Sequence, residues 1–96
     1  MMKQKKDQGD AVRHVPNVAW RRVEEEAVVL DLQSSIYYSL NDVGARIWEL
    51  LGEGMSQEAI VDRVCEEYSV EPKVVRRDVE EFTRHLEKEK LVLPHA

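Results

Sequence analysis

Ile36-Tyr37-Tyr38-Ser39-Leu40-Asn41-Asp42-Val43-Gly44-Ala45-Arg46-Ile47-Trp48-Glu49-Leu50-Leu51 changes its hydrophobic period partway along, and that change decides the fold. Ile36 to Leu40 is short, β-branched and aromatic, which suits a strand. Alternation sends Ile36, Tyr38 and Leu40 to one face and Tyr37 and Ser39 to the other. From Asn41 the spacing becomes helical, with Val43, Ile47, Trp48, Leu50 and Leu51 on an apolar side. Asn41 stands where a helix N-cap belongs, because its short side chain can accept a bond from a free N–H of the first turn. Asp42 favours the positive end of the helix dipole, and Gly52 is the expected C-terminal stop.

Working outward, Val18 to Val23 reads as extended, with Val18, Trp20 and Arg22 sharing a side. Glu24-Glu25-Glu26 is a charged connection, Ala27 to Asp31 is an apolar central strand, and Leu32 to Ser35 is a polar turn. Upstream, Pro16-Asn17 is a turn signal. Residues 1–14 read as a flexible tail and 15–94 as the folded domain. Downstream, Ser56 caps a second helix carrying Ile60, Val61, Val64, Cys65 and Tyr68. Pro72 opens a third, where its missing N–H does no harm. Val75, Val79, Phe82 and Leu86 form that helix's stripe through about residue 89. Leu91-Val92-Leu93 folds back on the core, and Pro94 ends it. The expected fold is α+β and winged helix-turn-helix-like, a three-stranded antiparallel sheet followed by three helices, βββααα. Such a sheet cannot bury its apolar face alone, so the helices must cover it.

Composition narrows the function. With 96 residues, 43% of them hydrophobic, the chain holds one modest core. No apolar run is long enough to cross a membrane, and the first ten residues lack a secretory signal. A single cysteine, Cys65, excludes an intrachain disulfide and makes a cytoplasmic location the default. On the apolar side of its helix it reads as a buried thiol. The net charge of −5 is uneven: residues 1–22 carry six Lys/Arg against two Asp/Glu, and the remainder eight against seventeen. An acidic folded part counts against nucleic acid as the main ligand. The basic start reads as a solvated tail, or as a dock for an acidic partner. His14, His85 and His95 have no helical pairing and no second cysteine, so no metal is expected. Gly9, Gly44, Gly52 and Gly54 make no phosphate cradle. No cofactor and no catalytic residues are expected.

The run from Leu40-Asn41 through Gly44-Ala45 to Ile47-Trp48, after a Tyr-rich strand, resembles the signature of the PqqD family. Leu30-Asp31, Ser56 to Ile60, Pro72, Asp78-Val79, Phe82, Leu86 and Leu91-Val92 align in the same order, so the resemblance covers roughly residues 15–93. Three positions depart from it. Ser35 stands where the family often has a hairpin Gly, Glu71 where it often has Asp, and Lys90 where Gly is common.

The resemblance implies a RiPP recognition element, a peptide chaperone without chemistry of its own. Such a protein binds the leader of a ribosomally made precursor peptide and presents it to a modifying enzyme, often a radical S-adenosylmethionine enzyme. The implied mode is addition of the peptide to an open sheet edge. The edge would be Ile36, Tyr37, Tyr38, Ser39 and Leu40, beside Val74, Val75, Asp78, Val79 and Phe82 of the third helix, with Arg76 and Arg77 setting polarity at the rim. The pattern leaves open which strand face meets that helix. It also allows Val75, Val79, Phe82 and Leu86 to be plain core, and Asp78 a solvated charge. Two other classes compete. A winged-helix DNA-binding regulator would use Lys73, Arg76, Arg77, Arg84 and Lys88, though Asp78, Glu80, Glu81, Glu87 and Glu89 oppose them. An oligomerisation module would form a homodimer by pairing or swapping through the same strand edge.

Overall fold

The computed structural model describes residues 12–94. Its elements are β1 (Val12–His14), β2 (Val18–Val23), β3 (Glu26–Asp31), β4 (Ile36–Leu40), α1 (Asp42–Gly52), α2 (Gln57–Tyr68), α3 (Pro72–Lys88) and β5 (Val92–Pro94). The antiparallel meander β2-β3-β4 and the three helices are those expected from the sequence, an α+β arrangement. Register follows the alternation: Val29 lies opposite both Trp20 and Tyr38, so the inward residues of the three strands form one row. Val29 and Ala27 are buried there, and Tyr38 and Leu40 pack beside them.

Local chemistry sets the helix starts. The Asn41 side chain accepts from the Gly44 N–H at 2.8 Å, and Ser56 accepts from the Ala59 N–H at 3.2 Å. Glu71, ahead of Pro72, makes no side-chain cap, in line with a carboxylate one methylene too long for the role. Ser35 and Lys90 share a backbone property: both adopt left-handed backbone, with φ of 64° and 61°, where a Cβ is costly.

Three expectations need correction. Val12–His14, assigned to the tail, is a strand paired with Val92–Pro94, so the fold begins before residue 15. The tail proper and His95 lie outside the described residues. Leu91 to Leu93 does return to the core, but its last two residues do so as part of that strand pair, with Leu91 and Val92 buried. Gly52 does not stop α1 by left-handed geometry: it is the last helical residue, and the positive φ falls on Gly54. Gly52 serves close approach instead, since a Cβ there would lie 2.5 Å from the His14 ring.

That ring ties β1 to α1. His14 stacks on Trp48 with centroids 3.6 Å apart, and its Nε2–H donates to the Trp48 carbonyl at 2.8 Å. Trp20 meets both rings edge-on. Burial holds the His14 imidazole below its ordinary pKa, although the bond to Trp48 partly opposes the shift. Folding therefore favours neutral His14. The associated stability is present in full above the ordinary value of about 6.5 and falls as pH drops through it towards the folded value. Wild type is expected to lose more stability than His14→Gln between pH 7.5 and 5.5 in urea unfolding. A constant difference would show that His14 does not titrate with folding.

Candidate functional site

The site begins at an edge. In the order β2-β3-β4, only one side of β4 is paired among the described residues, leaving a row of backbone donors and acceptors free. The tyrosine face is settled by packing. Tyr38 and Leu40 turn inward against the core, whereas Tyr37 is 69% exposed and Ile36 and Ser39 are also exposed. It is thus the Tyr38 face that meets α3. The Tyr38 hydroxyl donates to Glu89 Oε1 at 3.2 Å across the gap. Partial burial, and then the Glu89 carboxylate, push the phenol above its ordinary pKa, so it remains a donor.

Two clefts lie along this side of α3. One, about 270 Å³, is bounded by Tyr38, Ser39 and Leu40 on the strand, by Phe82 and Leu86 on the helix, and by Leu91. The other, about 520 Å³, opens between α1 and α3, with Val43, Ile47, Val70 and Val75 as an apolar floor and Asp78 and Glu81 at its rim. Phe82 and His85 line both, so the clefts are two compartments of one groove. Phe82 is half-buried, as a groove-lining aromatic must be.

The expected site residues divide accordingly. Tyr38, Ser39, Leu40, Val75, Asp78 and Phe82 line the clefts. Val79 is fully buried and lines neither, which favours its core reading, and Leu86 is core that also floors the smaller cleft. Val74 is exposed but lines neither cleft. Ile36 and Tyr37 contribute to the open edge and the outer face. The sequence reading did not include Val43, Ile47, Val70, Glu81 or His85. Their signal was present for α3 alone: Asp78, Glu81, Phe82, His85 and Glu89 recur at helical spacing on one side.

Of the α3 cations, Arg76 is engaged by the neighbouring helix. The Arg76 guanidinium binds Glu58 through two bonds of 3.0 and 3.1 Å, which lowers the Glu58 pKa. Elsewhere Arg22 and Arg46 tie β2 and α2 to α1 through Glu49 and Glu67. Among the described residues no group of three or more His, Cys, Asp or Glu could hold a metal ion. No helix among them is long and apolar enough to cross a membrane. Cys65 is a free thiol, partly buried against the core.

The chain matches the family model described as coenzyme PQQ synthesis protein D (PqqD) over residues 26–92. Two solved structures are similar along nearly their whole length. One is described as TbiB1 in complex with the TbiA(beta) leader peptide. It is 40% identical, with TM-score 0.79, covering 88% of this chain and 98% of that one. The other is described as lasso peptide synthetase B1 complexed with the leader peptide. It is 29% identical, with TM-score 0.78, covering 86% of this chain and 98% of that one. No curated protein gives a significant match.

Proposed function

Because the chain belongs to the PqqD family, we propose that it is a non-catalytic adaptor for the leader segment of a ribosomally made precursor peptide. The leader adds to β4 as a further strand, and the attached core is presented to a modifying enzyme. One observation carries this reading: the unpaired edge of Ile36–Leu40 runs beside an apolar groove that Phe82 divides into two compartments. Backbone bonds along an edge give affinity that tolerates sequence, and pockets for alternate side chains give selectivity. Both similar structures are described as complexes with leader peptides, which supports it. The description of one as a lasso peptide synthetase component favours such a synthetase as the enzyme served, over the radical S-adenosylmethionine enzyme that the family resemblance first suggests.

Titrating the isotopically labelled chain with synthetic leader peptides, beginning with TbiA(beta), is expected to shift amide resonances of Ile36–Leu40 and of Asp78, Phe82 and His85. Shifts confined to α2, or no binding at high micromolar peptide, would falsify the assignment.

A further inference from the structure

The groove has a charge pattern that its apolar floor does not require. Asp78, Glu81 and His85 follow one another along the groove side of α3, around Phe82, and Glu89, just past the helix end, accepts from the Tyr38 hydroxyl. The opposite wall brings no compensating charge: Tyr38, Ser39 and Leu40 of β4, and Asn41, Val43 and Gly44 beyond it, are all neutral. No Lys or Arg lines either cleft.

The paired carboxylates elsewhere make the contrast. Glu49, Glu58 and Glu67 each hold an arginine within 3.1 Å. Asp78 and Glu81 are exposed and have no ion-pair partner among the described residues. The helix's own Arg76 is turned away to Glu58. Low-dielectric walls on both sides focus the field of such charges into the groove.

The dimensions fit one kind of occupant. Asp78 to Glu89 spans roughly 16 Å at about 1.5 Å per helical residue. An extended strand covers that length with about five residues at about 3.3 Å each, and β4 itself has five residues. About three side chains of such a segment would face the groove, at alternate positions. Resting on the leader-binding reading, we propose that the groove selects a cationic leader segment, with a Lys or Arg on the same side as apolar anchors and opposite Asp78 and Glu81. His85 lines both clefts beside these carboxylates.

The test is a selection from a randomised library of displayed dodecapeptides on the full chain, followed by affinity measurements. Enriched peptides are expected to place Lys or Arg two residues from an apolar anchor. Against the best of them, Asp78→Lys/Glu81→Lys should bind about tenfold or more weakly, with the deficit shrinking at high salt. The same double variant, used for a new selection, should enrich Asp or Glu at that position. Asp78→Asn/Glu81→Gln, which removes charge without changing shape, should fall between, and melting curves of both variants should match wild type. Enriched peptides that shift β4 and α3 resonances but show no charge preference would overturn the proposal and leave leader binding standing. Peptides that bind elsewhere, or a library that yields none, would overturn both.

Discussion

Phe82→Ala is expected to weaken leader-peptide binding by about thirtyfold or more, the largest loss of any single groove substitution. Aromatic anchors at the centre of a peptide site commonly account for about 2–4 kcal/mol each, and every 1.4 kcal/mol is tenfold in affinity. Phe82 is the one apolar side chain lining both compartments, so its removal merges them and leaves no wall for either anchor. It is only half-buried, so the folding cost should be near the lower end for an aromatic truncation. Fluorescence anisotropy with a labelled leader peptide, beside a melting curve, separates the two effects. Val74→Ala is the internal comparison. Val74 is exposed on the same helix, borders neither cleft, and should bind like wild type. Equal losses in both variants would mean that the leader reads the helix as a whole and not its groove.

Trp48→Ala is expected to cost about 3–5 kcal/mol of folding stability, a large fraction of the roughly 5–15 kcal/mol that holds a domain together. Trp48 is wholly buried, beneath His14 and beside Trp20. Its loss would open a cavity and remove the surface on which the β1 strand is stacked. Trp48→Phe should cost much less, about 1–2 kcal/mol, for a specific reason. The indole Nε1 finds no hydrogen-bond acceptor among the described residues, so phenylalanine removes a buried unsatisfied donor along with volume. Urea unfolding of the pair checks this: equal destabilisation by the two variants would show that ring size, and not cavity formation, is limiting.

Much of the architecture was legible because it is written locally. Asn41, Ser56 and Pro72 mark helix starts through bonds to the next three residues or through the missing N–H of proline. The strands over 18–23, 27–31 and 36–40 announce themselves by composition and alternation, with Glu26 joining the second from the charged connection, and short turns leave an antiparallel meander as the natural pairing. The family signature from Leu40 to Trp48 lies in these same scaffold residues. It identified the fold, and Leu40, Asn41, Val43, Gly44 and Ile47 within it also line the groove, a role that depends on where α3 packs.

What escaped the sequence is non-local. Val12–His14 is too short to show a period, and it is a strand only because Val92–Pro94 arrives beside it from the other end of the chain. Gly52 looked like a helix stop because that role is common for glycine. Its actual task depends on a histidine distant in sequence pressing against the helix. On α3 the apolar stripe was evident, but its division was not: Val79 is sealed in the core while Val75 and Phe82 border open clefts. A helical period gives direction around an axis, and only the packing of α1, β4 and α3 sets how far each direction is filled. The sequence alone therefore determined a βββααα domain with an available strand edge. The tertiary structure decided that Tyr38 turns that edge's inner face towards α3, and that Phe82 and the Asp78–Glu81 rim shape the groove beside it, because spaces between elements belong to no single segment of the chain.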